Sequence, residues 1–89
     1  MIREPITIIN QLGLHARAAA KLVSTASDYE SSVRLGKDGQ VVDGKSIMSV
    51  MMLAASCGTE IELILEGEDE IEARDALVAL INDRFGEGR

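Results

Sequence analysis

The spacing of apolar residues changes several times along the chain, and each change marks an element. Ile6-Thr7-Ile8 alternates and is rich in β-branched side chains, so residues 2–9 read as a strand. Pro5 has no N–H to give to a ladder, which suits an edge strand or a strand start. Asn10-Gln11-Leu12-Gly13 is a turn signal. Over residues 16–27, Ala16, Ala19, Ala20, Leu22, Val23 and Ala26 recur at helical spacing, with side chains small enough for the helix to lie close on a sheet. Val33 and Leu35 mark a second strand, Asp38-Gly39 a hairpin turn, and Val41-Val42 the short return strand. Ser46 can cap a helix predicted over residues 47–57, which Gly58-Thr59 would end. Residues 60–66 alternate most cleanly, with Ile61, Leu63 and Leu65 on one face and Glu60, Glu62, Ile64 and Glu66 on the other. Asp69 followed by Glu72 resembles a capping box. It opens a last helix with Ile71, Ala73, Ala76, Leu77, Leu80 and Ile81 on one side, ended by Gly86 and Gly88.

The predicted order is β-α-β-β-α-β-α. Four strands with one apolar face need a helical layer on that face. The expected fold class is therefore α+β: an open-faced two-layer sandwich, with a four-stranded antiparallel sheet and three helices on one face. There is no repeat, linker or low-complexity segment, so residues 1–89 read as one domain.

Composition narrows the function classes. Aromatics are 2 % of the 89 residues, so the core must come from Ile, Leu, Val, Met and Ala. Net charge is −6 and uneven: residues 1–45 hold six basic and five acidic side chains, residues 46–89 three and ten. Nucleic-acid binding needs Lys and Arg to displace counterions and aromatics for base stacking. No nucleic acid is expected as a partner, and no anionic membrane surface. Cys57 is the only cysteine, so an internal disulfide is impossible and zinc-ligand spacing is absent; no metal and no cofactor are expected. The opening Met1-Ile2-Arg3-Glu4-Pro5 lacks the pattern of a signal peptide, and no run is long enough to span a bilayer, which makes a cytoplasmic location the expectation.

His15 is the only histidine. It stands between a glycine-containing turn and a predicted helix start, in Leu12-Gly13-Leu14-His15-Ala16-Arg17. Helix starts expose free N–H groups and the positive end of the macrodipole, a combination that binds phosphate. A neutral imidazole has the lone pair needed to attack phosphorus. Arg17 can bring a guanidinium to an incoming phosphate, and Gly13 permits close backbone approach. The plainer reading is a surface histidine that caps a helix, and local features alone leave both open.

The run Leu12-Gly13-Leu14-His15-Ala16-Arg17-Ala18-Ala19 resembles the active-site motif of the HPr phosphocarriers of the bacterial phosphotransferase system. The resemblance extends over almost the whole chain, since the element order matches too. One residue departs from it: the family usually has Pro where this chain has Ala18. The resemblance implies that His15 is phosphorylated through Nδ1, that Arg17 steadies the phosphoryl group, that enzyme I charged from phosphoenolpyruvate is the donor, and that a IIA-type protein is the acceptor. Such a carrier is not an enzyme, because the chain itself is modified and discharged. A monomer is expected. Gly44-Lys45-Ser46-Ile47-Met48-Ser49-Val50-Met51 resembles the segment of HPr proteins phosphorylated by HPr kinase/phosphorylase, which implies a regulatory phosphoserine at Ser46. A hydroxyl that caps a helix can be that same acceptor atom.

Gly39 to Ser46 also fits the phosphate-binding loop pattern G-x-x-x-x-G-K-[ST]. That loop must follow a strand of a parallel sheet, whereas Val41-Val42 inside it reads as a hairpin strand. On the helix after Ser46, one apolar line (Val50, Leu53, Ala54, Cys57) is expected in the core, with Cys57 buried. A second line, Ile47, Met48, Met51 and Met52, is either a wider core stripe or a docking patch for which flexible Met side chains are suited. Docking is the favoured reading for Ile47, Met48 and Met51, with Ala16, Ala20 and Lys21 bordering the same surface. The rival function is a non-catalytic regulatory binding module on the same fold, controlled through Ser46; it has no need of His15. The runs 18–21 and 50–55 look more like the nitrogen-type branch of the family than the sugar branch.

Overall fold

The computed structural model describes residues 1–89. Its elements are β1 (Ile2–Thr7), α1 (Ala16–Ser27), β2 (Ser32–Lys37), β3 (Gln40–Asp43), α2 (Ile47–Met52), β4 (Glu60–Glu66) and α3 (Glu70–Asn82), followed by a short 3₁₀ turn at Arg84–Gly86. The strands form one sheet in the order β1-β4-β2-β3, every neighbour antiparallel. The three helices cover one face. The expected open-faced sandwich is the fold observed.

The register explains the single apolar face. Ile2, Leu65 and Val33 align across the sheet; so do Leu63, Leu35 and Val42, and Ile6 pairs with Ile61. These side chains point at the helices and join Leu22 and Ala26 of α1, Val50 of α2 and Leu77 and Ile81 of α3 in one core. Pro5 is tolerated because β1 is an edge strand, bonded to β4 alone. Asp38 and Gly39 have φ of 51° and 81°, the two left-handed residues that a two-residue hairpin turn requires.

Several expectations are corrected. The first ladder stops at Thr7, although Ile8 still exchanges bonds with Thr59 and Gly58. Ile64 lies on the polar face of β4, as the alternation predicts, yet it is buried. Its cross-strand neighbours Arg3 and Arg34 flank it with long aliphatic stems, and its Cδ1 leans over side-chain-free Gly36. Helix α2 ends at Met52, not Cys57. Its final N–H groups bond back three residues, Ala54 turns left-handed (φ 55°), and the Lys37 ammonium of β2 takes the carbonyls of Leu53 and Ala54 at 3.1 and 3.3 Å. Ala54 and Cys57 consequently leave the helical line and are exposed, while Val50 and Leu53 stay in the core. Ile71 is also exposed, because two residues of helix turn it to the side opposite Ala73, Leu77 and Ile81, which form the buried stripe of α3. The same helix stops at Asn82, before Gly86. Arg84, Phe85 and Gly86 then take φ of 54°, 54° and 75°, folding the chain back so that Phe85 is fully buried.

Asp69 is no capping box. Its carboxylate makes no bond to its own helix and instead accepts the Ser31 hydroxyl and the N–H groups of Glu30 and Ser31, both at 2.9 Å. It thereby ties the start of α3 to the α1–β2 loop. The Ser31 hydroxyl above all, then the Glu30 N–H, holds this carboxyl below its ordinary value of 3.8. A depressed carboxyl adds stability that is complete above its unfolded value and is lost as pH falls through the folded one. Asp69→Asn is therefore expected to unfold earlier in urea than the parent at neutral pH. The gap should close as pH is lowered below about 3.8; urea titrations at a series of pH values measure it.

Candidate functional site

The turn after β1 is shaped by one close contact. Gly13 has φ of 68°, and a Cβ there would stand 2.6 Å from the Ala55 carbonyl oxygen and 2.8 Å from Cα of Ser56. Only glycine fits. Leu14 then donates its N–H to that Ala55 carbonyl at 2.9 Å, so the residues leading into α1 are clamped to the loop that leaves α2. Asn10 is fully buried beneath the turn. Its Nδ2 donates to the Gly13 carbonyl at 2.8 Å, and its own carbonyl accepts the Gly13 N–H at 3.1 Å.

His15 is the N-cap of α1. The helix start leaves its first N–H groups without intrahelical partners, and that of Arg17 donates to Nδ1 of His15 at 3.3 Å. Nδ1 therefore presents a lone pair toward the helix start. The opposite nitrogen, Nε2, meets Oε2 of Glu87. A carboxylate can only accept, so the proton belongs on Nε2. The capping role and the nucleophile geometry are thus compatible in one ring.

Glu87 was not singled out in the sequence, because it lies far along the chain in a Gly-rich segment. Its Oε1 accepts from Nδ2 of Asn10 at 3.0 Å. Burial works to raise its pKa, but the hydrogen bonds from Asn10 and His15, with the nearby Lys21 ammonium, outweigh that and hold it below the usual carboxylate range. His15, Arg17, Lys21, Glu87 and Arg89 share an open depression of about 600 Å³. Arg17 lies beside His15 as expected, its side chain unpaired within the chain. Lys21, expected to border the docking surface, is exposed, and its ammonium donates to the Phe85 carbonyl at 2.6 Å.

Ser46 is the N-cap of α2, its hydroxyl accepting the Ser49 N–H at 3.3 Å. Beyond it the second apolar line faces outward: Ile47 is 43 % exposed, Met48 73 %, Met51 42 % and Met52 68 %. The wider core stripe is excluded for these residues. Ala16 is exposed and Ala20 half-buried on α1, the helix against which α2 packs. The phosphate-loop pattern falls apart in space: Gly39 is in a hairpin turn, Val41 and Val42 are in antiparallel β3, and Ser46 heads a helix.

A one-sided α+β sandwich whose single histidine caps a helix, with an arginine two residues on, has the parts of a phosphoryl carrier: a ring nitrogen, a helix start and a guanidinium. Residues 2–83 match the family model for the phosphorylation site of the phosphotransferase-system HPr component. The chain is 63 % identical over 84 residues to the phosphocarrier protein HPr of Pseudomonas aeruginosa, covering 93 % of each, and 56 % identical over 88 residues to that of Cupriavidus necator, covering 99 % of each. The crystal structure of HPr-C-His from Thermoanaerobacter tengcongensis superposes with a TM-score of 0.94 at 48 % identity over 98 % of both chains. The chain belongs to the HPr family of the phosphotransferase system. It is a phosphocarrier protein and not a catalyst.

The clamp at Gly13 is testable. Gly13→Ala forces a side chain into a left-handed position and against the Ala55 carbonyl, and should lose about 1–3 kcal/mol of stability. Denaturant melts measure the loss, and amide NMR shifts concentrated at Leu14 to Arg17 and at Ala55 would accompany it.

Proposed function

We propose that this chain accepts a phosphoryl group on Nδ1 of His15 from enzyme I, itself charged from phosphoenolpyruvate, and delivers it to a IIA-type acceptor protein. The observation that carries this reading is the state of the ring: Nδ1 points its lone pair at the start of α1 while Nε2 is engaged by Glu87. A phosphoryl group on Nδ1 meets free helix N–H groups and the positive end of the dipole. The Arg17 guanidinium is within the same depression to pair with its oxygens. The carrier works as a cytoplasmic monomer. A regulatory module acting through Ser46 alone would have no use for this arrangement around His15.

Docking falls to the exposed line Ile47, Met48 and Met51, with Ala16 and Ala20 beside it. Lys21 contributes its stem, its ammonium being held by Phe85. The acceptor decides between the sugar and nitrogen branches of the family, and offering the charged chain to IIA domains of both kinds distinguishes them.

His15→Ala should abolish labelling by enzyme I and phosphoenolpyruvate with the fold intact, and the parental label should be lost in acid and stable in base, as a phosphoramidate is. Arg17→Lys keeps the charge without the bidentate fork, so transfer should slow without stopping. Acid-stable label, label retained in His15→Ala, or parental rates in Arg17→Ala would overturn the assignment.

Ser46 is the proposed regulatory phosphoserine, modified by HPr kinase/phosphorylase. Phosphate there adds charge at the rim of the apolar line, which adds desolvation cost and repels acidic partner surfaces. Ser46→Asp should melt no lower than the parent, yet need about tenfold more enzyme I for the same charging rate, a difference of about 1.4 kcal/mol in docking. Thermal melts and charging rates over a range of enzyme I concentrations decide it. Parental rates at every concentration would leave Ser46 a cap alone.

A further inference from the structure

Attack by Nδ1 leaves the imidazole with a charge problem. The nitrogen gives its lone pair to phosphorus while Nε2 keeps its proton, so the ring of the product is a cation. The groups facing that ring are mostly cations as well: Arg17 and Lys21 on α1, and Arg89 beyond Glu87. One carboxylate opposes them, that of Glu87, in contact with the nitrogen that holds the proton.

The fold goes to some length to put it there. Phe85 is fully buried and its carbonyl is bonded by Lys21 at 2.6 Å, after a reversal through three consecutive left-handed residues. Left-handed conformations at Arg84 and Phe85 cost energy that the surrounding contacts must outweigh. Asn10, itself buried, takes the second carboxylate oxygen at 3.0 Å and so fixes the direction of the first. Two chain segments far apart in sequence therefore aim a single oxygen at Nε2.

We propose that Glu87 is a positioning residue for phosphoryl transfer, which keeps the proton on Nε2 and balances the positive ring while the phosphoryl group is on Nδ1. This rests on the phosphocarrier reading at His15. In charging, the Nδ1–P bond forms as the donor's bond to phosphorus breaks, and the donor's leaving group departs with the electron pair. In discharge, the Nδ1–P electron pair returns to the ring, which leaves as neutral imidazole with the Nε2 proton in place. Neither step moves a proton on or off His15, because Glu87 holds it throughout.

Phosphoramidate is the donor for the test, since it removes protein docking from the measurement and releases ammonia. Glu87→Gln keeps an oxygen that can accept from Nε2 but loses the charge; Glu87→Ala loses both. Both variants should charge more slowly than the parent, by about tenfold for Gln, because a charge-assisted bond is exchanged for a neutral one. Hydrolysis of the phosphorylated chain followed against pH gives the second readout. The cationic ring is the better leaving group, so the fast acid limb of the profile should fall off about one pH unit lower in Glu87→Gln, as for loss of an opposite charge at contact distance. A merely structural Glu87 predicts parental behaviour for Gln and a lowered melting temperature for Ala. Parental charging by Glu87→Gln, or an unmoved hydrolysis profile, overturns the proposal while leaving the carrier reading standing. Parental label that persists in His15→Ala overturns both.

Discussion

Helix α1 rests on the sheet through Ala18, Ala19, Leu22 and Ala26, none of which exposes any surface. These residues share one core with Leu63 and Leu65, and α1 is flanked in the helical layer by α2 and α3, which fixes where its first turn points. The start of the helix must at the same time stay open, because its free N–H groups are what an anion would meet. Gly13 reconciles the two demands. By passing against the Ala55–Ser56 backbone, with Leu14 bonded to Ala55, it anchors the residue just before the helix, so His15 is rigid without being covered. Any side chain at position 13 would move the cap.

The loop that receives Gly13 is the one that ends α2, so the cap histidine and the short second helix are held in fixed relation. The helix is short because Lys37 and the left-handed Ala54 close it at Met52. Its core side is taken by Val50, with Leu53 just beyond, and Ile47, Met48, Met51 and Met52 are left facing outward. Exposing four large apolar side chains together is unfavourable in a free chain, and the docking surface proposed above draws on three of them, Ile47, Met48 and Met51. A net charge of −6 does not contradict an anion site at His15. Arg17, Lys21 and Arg89 gather at that end, while the acidic excess lies along β4 and α3.

The alternating and helical patterns determined most of the fold by themselves. The clean period-two run at 60–66 and the Ala-rich run at 16–27 appear in space with the boundaries read from the chain, because in both an unbroken period carries a buried line, Ile61, Leu63 and Leu65 in the strand and Ala19, Leu22 and Ala26 in the helix. So do the Asp38-Gly39 turn and the caps at His15 and Ser46, which rest on backbone geometry within a few residues. His15 and Arg17 were legible for the same reason: their relation is one turn of helix. Where the reading erred, a distant partner had intervened. Asp69 has the spacing of a capping box, yet Ser31 and Glu30 take its carboxylate. Cys57 has the spacing of a core residue, yet Lys37 stops the helix before reaching it. Ile64 sits on the polar face, yet Arg3, Arg34 and Gly36 cover it.

Glu87 is the sharpest case. Nothing local distinguishes it in Phe85-Gly86-Glu87-Gly88-Arg89, and its place on Nε2 of His15 depends on buried Phe85, on Lys21 and on Asn10, which are brought together only when α1 and α3 pack side by side. The sequence by itself determined the elements, the one-sided core and the histidine at a helix start, because periodicity and capping act over a few residues. The tertiary structure alone decided where α2 ends, which apolar residues stay outside, and which carboxylate faces the histidine, because those depend on contacts between segments that the chain order keeps far apart.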